Sequence, residues 1–223
     1  MIDEVEKGCM KINKFLKVAI FLITLQSIGS VVWGEDKGEI LLDETVAVIV
    51  SKMPPAKESA IITAWDLEAH CRIELIKRYG KDGTSKVIGK SLKISVLKNL
   101  IEQEMVFLEL KKFGMENEQL NEENVNKKME ELANPFGSSQ AFFNEMSRFS
   151  IEPQMLIKWI KKEVQVEQYL EAQFKMSYST ILKDGEIQEA DKVIFRDKFI
   201  EKLSQRYRIR VYIEDFKWKD VIE

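Results

Sequence analysis

The chain has 223 residues, a formal net charge of −3 and 45% hydrophobic residues. This length and composition are those of a single globular domain with a buried core. A charge so close to balance does not indicate a nucleic-acid partner or a strongly anionic membrane surface.

The first 34 residues have the layout of an export signal. Lysines at positions 11, 14 and 17 precede an apolar run from Val18 to Ile28, and small residues follow it. This order is typical of a secretory signal peptide. We therefore predict a true start at Met10 and cleavage after Gly34. An uncleaved anchor is the alternative, although the run is shorter than the roughly 20 residues of a membrane span.

The elements that follow predict a mainly α fold with a small sheet. Residues 44–51 are rich in Val and Ile and indicate a strand, and 59–62 indicate a short strand after a turn at Pro54-Pro55. Apolar residues at helical spacing predict helices over 64–79, 91–113, 117–133, 139–149, 151–174 and 189–207. Residues 209–216 alternate as a last strand. Because a lone strand leaves its backbone groups unpaired, we expect the first strand to pair with the last.

Several helix ends have signals of their own. Thr63 and Asp66 form a capping box at the start of the first helix. Ser150 is the expected N-cap of the fifth helix. Residues 81–85 are expected to be a loop, and residues 175–188 a short, irregular linker.

The sequence lacks the residue sets that catalysis needs. GxGxxG, GxxxxGK[ST], HExxH and CxxC are missing, and His70 is the one histidine. His70 and Cys71 are adjacent on a helix and point about 100° apart, so they cannot share a metal. We expect His70 on the surface and Cys71 as a small buried residue. With Cys9 in the leader, no intrachain disulfide forms. No enzyme activity, metal or cofactor is predicted.

The acidic stretch from Glu116 to Glu131 could suggest calcium. Its carboxylates lack the alternating spacing of a calcium-binding loop. The pattern favours a solvated helix face instead.

Methionine and phenylalanine are concentrated in the central helices. Core packing must account for most of them, but unbranched Met side chains also repack around different ligands, which suits broad peptide binding. We predict that one set of them lines an apolar peptide-binding groove: Met115, Met129, Phe136, Phe142, Phe143, Met146 and Met155. Replacing Phe142 and Phe143 by Ser is then expected to reduce binding more than stability.

Three segments occur in a distinctive order: the strand ETVAVIVS, the capped helix that begins TAWDLE and the helix VLKNLIEQEMVFLELKKFGM. These segments and the order of the elements resemble the SurA-like periplasmic chaperones. A helix rich in Phe and Met, a long helix, and a returning helix and strand follow in the same order. The resemblance therefore covers nearly all of residues 35–223.

The resemblance implies one SurA-like chaperone domain without an isomerase domain. The family usually inserts parvulin-type proline isomerase domains where this sequence has only residues 175–188. The parvulin site uses a pair of histidines, and this chain has one. The turn at Pro54-Pro55 also departs from the family's tighter Asn/Gly turn.

The function that this family implies is an ATP-independent periplasmic holdase. It would bind unfolded outer-membrane or secreted proteins in an apolar groove, without stable membrane insertion after signal cleavage. The alternative is a dedicated envelope assembly partner that binds one specific protein. A degenerate proline isomerase is a third hypothesis, and the client and oligomeric state stay open.

Overall fold

A computed structural model of the chain describes residues 43–53, 58–115, 122–178 and 189–213. All of these residues belong to one unit, Asp43–Glu223. Several predictions fall outside the described residues: the signal peptide, the Pro54-Pro55 turn, the first turn of the third helix, most of the linker and the end of the last strand.

Three antiparallel strands form the predicted small sheet. They are β1 (Thr45–Ser51), β2 (Ser59–Thr63) and β3 (Tyr207–Val211), in the order β2-β1-β3. The apolar β1 is central, and its Ile49 is fully buried and pairs with Ile209 of β3. The predicted pairing of the first and last strands is confirmed, and it joins the two ends of the described chain.

Six α-helices make up most of the described chain, so the mainly α fold is confirmed. They are α1 (Ala64–Tyr79), α2 (Lys90–Lys112), α3 (Glu122–Ala133), α4 (Ser139–Ser147), α5 (Pro153–Tyr178) and α6 (Glu189–Ser204). The start of the predicted linker, residues 175–178, belongs to α5 instead. The last helix ends at Ser204 rather than 207, because β3 begins at Tyr207.

The predicted helix-capping residues are confirmed at α1 and wrong at α5. Thr63 and Asp66 form the predicted capping box, with both side-chain-to-amide distances at 3.1 Å. Ser150 is not an N-cap: its φ is 59°, and the Ile151 amide donates to the Met146 carbonyl at 3.1 Å. This is a Schellman motif, so Ser150 closes the chain reversal after α4. The N-cap prediction was wrong because the end of α4 and the start of α5 are only a few residues apart, and Ser150 belongs to the end of α4.

The predicted loop after α1 is a 3-10 helix, Gly80–Ser85. The Arg72 guanidinium fixes it by donating to the carbonyls of Gly83 and Thr84 at 3.1 Å and of Lys86 at 2.7 Å. A Cβ at Gly83 would lie 2.4 Å from a carbonyl oxygen of α1, so this close approach requires glycine.

The core consists of two clusters of buried side chains. The first joins the sheet to α1, α2, the C-terminal half of α5 and the end of α6. The second joins α1, α3, α4 and the N-terminal half of α5. Cys71 is fully buried in the first cluster, as predicted. Because α1 and α5 contribute to both clusters, these two helices join the two parts of the core.

Candidate functional site

A cleft of about 570 Å³ lies between α1, α2, α5 and α6. The α5 side chains that line it recur at steps of three and four residues, which places them on one helix face, and apolar side chains alternate there with Glu163, Glu167 and Glu171. The apolar lining includes Trp159, Ile160, Leu170 and Phe174 from α5 and Phe195 and Ile200 from α6. Ile160 and Phe174 are buried, whereas Trp159, Leu170, Phe195 and Ile200 are only partly buried and offer the apolar surface of the wall.

Carboxylates surround the cleft, and each lining carboxylate has a basic partner. Lys128 donates to Glu163 at 2.9 Å and to Glu167 at 2.8 Å, and so links α3 to α5. The other pairs are Lys77–Glu163 at 3.5 Å, Arg196–Glu102 at 3.2 Å, Arg78–Glu74 at 2.8 Å, Lys175–Glu171 at 2.8 Å and Lys192–Glu189 at 2.9 Å. The rim is therefore charged but locally neutralised.

The pKa values of two of these carboxyl groups are shifted in opposite directions. Burial by itself would raise the pKa of Glu163, but Lys77 and Lys128 together hold it below its ordinary value. Burial raises the pKa of Glu102, and Arg196 does not fully offset this. Glu163 forms ion pairs with two lysines, whereas Glu102 pairs with Arg196 and has the Asp197 carboxylate nearby, which also raises its pKa.

His70 and Trp159 meet in the cleft wall. Their ring centroids are 4.4 Å apart, and Trp65 lies 5.5 Å from Trp159 on another side. The Nδ1–H of His70 donates to the Asp66 carbonyl at 2.8 Å. Burial lowers the pKa of His70, which favours the uncharged imidazole. His70 is partly buried and lines the cleft, which differs in part from the predicted surface position, because the spacing within α1 does not show which ring packs on it from α5.

The predicted peptide-binding residues lie elsewhere. Phe142 and Met146 are fully buried in the second core cluster. The short helix α4 has to bury its apolar face against its neighbours, and these side chains form that face. The five other members are partly buried: Met115, Met129, Phe136, Phe143 and Met155. None of the predicted residues lines the cleft, and their role in peptide binding stays a prediction.

Sequence reasoning missed the contribution of α6. This helix has apolar residues at 193, 194, 195, 199 and 200, yet only Leu203 of the helix is buried. Its contacts with α5 are aromatic, including Phe195 with Phe174 at 5.4 Å between centroids. The available signal was the width of this apolar arc, which exceeds what packing on one side requires.

An ionic cluster around the buried carboxylate of Glu109 lies on the sheet side of α2. The Glu109 carboxylate accepts from Arg206 at 2.7 Å and from the Tyr207 hydroxyl at 3.1 Å, and Lys112 lies 3.4 Å away. Burial, and then the charge of Glu109, raises the pKa of Tyr207. Because every group in the cluster has a partner, its role is to fasten β3 to α2.

The described residues offer little else for chemistry. Within those ranges no group of His, Cys, Asp and Glu side chains is arranged to hold a metal ion. Burial raises the pKa of Cys71 to about 11, so its thiol stays protonated at neutral pH. The acidic residues of α3, Glu122, Glu123, Glu130 and Glu131, are exposed, as predicted. No helix in the described part is long and apolar enough to cross a membrane.

No protein-family model matches the sequence, and no curated protein matches it. The resemblance to SurA-like chaperones therefore stays a prediction.

Proposed function

We propose that the chain is a non-enzymatic, ATP-independent holdase that binds apolar segments of unfolded polypeptides in the cleft. Together with the predicted export signal, this makes unfolded outer-membrane or secreted proteins in the periplasm its clients. The observation that carries the proposal is the open apolar wall, with a rim of carboxylates that are already paired.

An apolar wall attracts side chains by area and not by sequence. Each large side chain that enters removes apolar surface from water, which is worth about 25 cal/mol per Å². The cleft has the size of a ligand pocket, roughly 300–1,000 Å³, and so holds a short segment rather than a folded domain. Binding of one segment should be weak and reversible, as a holdase requires.

The paired rim explains why binding should be broad. A site discriminates strongly when a wrong ligand leaves its polar groups unpaired. Here Glu163 and Glu167 keep Lys128 whether or not a client is present, and Glu102 keeps Arg196. The rim therefore disfavours few client sequences, and the apolar content of a client segment decides whether it binds.

The test is suppression of aggregation. A denatured outer-membrane barrel protein is diluted with and without purified residues 35–223, which contain the whole described unit. We expect light scattering to fall at near-equal molar ratio and without ATP. If the folded chain has no effect, general chaperoning is rejected, and a pull-down for one tight partner tests the dedicated-assembly alternative. Acceleration of X-Pro isomerisation would instead support an enzyme.

A pair of variants on α6 locates the binding site. Phe195 lies in the cleft wall, and Phe195→Ser is expected to weaken the suppression. Val193 is on the same helix but outside the cleft lining and 57% exposed, so Val193→Ser is the matched control. Circular dichroism verifies that both variants fold. Equal losses in the two variants would place client binding away from the cleft.

A further inference from the structure

A second recess lies on the opposite face of α5. It has a volume of about 600 Å³ and is bounded by α2, α5 and β2. The α5 residues that line it are at 154, 157, 158, 161, 162 and 165, a spacing that places them on the face turned away from the cleft. Four lysines line this recess, which we call the lysine groove: Lys111, Lys158, Lys161 and Lys162.

The groove runs along the open edge of β2. In the described sheet, β2 has β1 on one side and no strand on the other. The Ser51 amide donates to the Glu58 carbonyl, so residues 58, 60 and 62 point their backbone groups toward β1. Ser59 and Ile61 therefore direct their N–H and C=O groups away from the sheet. Both line the groove, and Ile61 is 59% exposed.

The lysines are mostly unneutralised, in contrast to the rim of the cleft. Lys162 pairs with Glu104, and among the described residues Glu104 is the one carboxylate that lines the groove. Within the described part of the chain, no ion pair joins Lys111, Lys158 or Lys161 to a carboxylate. Lys111 and Lys162 lie over the ring of Phe107, at 5.1 Å and 4.6 Å from its centroid. A ligand that fits this groove must bring negative charge.

Lysines near an edge strand often serve only to prevent edge-to-edge aggregation. In that role they sit on the edge strand itself, and β2, with the sequence SAIIT, has none. Here they come from α2 and α5, across the groove from the strand. They would meet the side chains of an added strand and leave its backbone free to pair. A second copy of the chain is disfavoured, because two lysine grooves repel each other.

We propose that the lysine groove binds an extended acidic segment of a partner polypeptide, which adds as a strand to the free edge of β2. The outward backbone groups of Ser59 and Ile61 supply main-chain hydrogen bonds, and the lysines select carboxylates at every second residue of the segment. This site is separate from the cleft and does not depend on the holdase proposal.

The probe is a fluorescent peptide, Glu-Val-Glu-Val-Glu-Val-Glu, titrated with residues 35–223 and followed by fluorescence polarisation. We expect binding that weakens with added salt, and no binding of the Lys-Val counterpart. Lys158→Glu with Lys161→Glu is expected to weaken binding by roughly tenfold or more. The control is Lys127→Glu with Lys202→Glu, which makes the same charge change at exposed lysines outside the groove. This control should bind as the wild type does.

Backbone pairing is tested from the side of the ligand, so that folding of the protein is not at risk. One peptide carries N-methyl groups on its Glu amides and another on its Val amides. Because an added strand uses alternate amides, only one of the two should lose binding. The proposal is overturned if the acidic peptide does not bind, if both methylated peptides bind as the parent does, or if the groove and control variants weaken it equally. Equal binding of an oligothymidylate of the same charge would also overturn it, since phosphate attraction alone would then suffice.

Discussion

The helix α5 separates two recesses that carry charge in opposite ways. On the cleft face, Glu163 and Glu167 are paired with Lys128. On the groove face, Lys158 and Lys161 have no such partner among the described residues. Paired charges leave apolar area as the main source of binding in the cleft. Unpaired lysines make binding in the groove depend on the charge of the ligand and on salt.

The net charge of the chain conceals this division. A total of −3 indicates no basic chain overall, yet it permits a local cluster of lysines on one side of a helix. The face on which a charge lies, and the partner it finds there, decide what a recess can bind. Two adjacent recesses can therefore differ in selectivity although they share α2 and α5 as walls.

The largest expected effect belongs to a residue outside both recesses. Phe142 is fully buried in the second core cluster. Phe142→Ala should lower the free energy of unfolding by about 3–5 kcal/mol, measured by urea denaturation with circular dichroism. Phe143→Ala, at a partly buried neighbour, should cost less. A small loss of stability together with loss of client binding in Phe142→Ala would restore the groove predicted from the sequence.

The next largest effect on stability is expected at Glu109 on α2, a helix that lines both recesses. Glu109→Ala removes the buried carboxylate that accepts from Arg206 and Tyr207, although Lys112 still donates to the Tyr207 hydroxyl at 3.0 Å. We expect a loss of about 2 kcal/mol in the free energy of unfolding, because Arg206 is 41% exposed and stays hydrated without its partner. Glu102→Ala is the matched control on the same helix. Its partner Arg196 is half exposed, so the cost should stay below about 1 kcal/mol. Equal costs would show that the Glu109 cluster is not a fastening.

The sequence predicted the elements well and their contacts poorly. Helical spacing and the Thr63 capping box are local signals, and the pairing of β1 with β3 follows from the need to satisfy backbone groups. The cleft depends instead on which faces of α5 and α6 stay uncovered. Apolar residues such as Leu170 and Phe195 have the same spacing whether they face the core or a recess. Only tertiary packing distinguishes the two cases.

Acid should weaken the fold through His70, which lies in the cleft wall. Burial lowers the pKa of His70 below the ordinary value of about 6.5. The unfolded chain then binds a proton that the folded chain excludes, so stability is present above pH 6.5 and is lost as the pH falls toward the folded pKa. The slope is at most about 1.4 kcal/mol per pH unit. His70→Gln should lack this slope in urea titrations between neutral pH and pH 5. Identical slopes in the wild type and in His70→Gln would contradict this prediction.

The variant with the smallest expected effect on stability, Lys128→Ala, should show the clearest change in peptide binding. Lys128→Ala removes two partly exposed ion pairs and should cost about 1 kcal/mol or less. Glu163 keeps Lys77 at 3.5 Å, but Glu167 loses its lysine, so the rim gains unpaired negative charge. The cleft would then resemble the lysine groove with the sign reversed.

The added negative charge at the rim of the cleft can be measured with the Glu-Val and Lys-Val peptides described above. In Lys128→Ala, the Lys-Val peptide should gain salt-dependent binding, while the Glu-Val peptide should keep its wild-type affinity because its groove lies on the other face of α5. Lys127→Ala, at an exposed neighbour on α3, is the control and should change neither. If the Lys-Val peptide still fails to bind, the pairing of the rim does not set the selectivity of the cleft. The contrast between the two faces of α5 would then rest on the lysine groove alone.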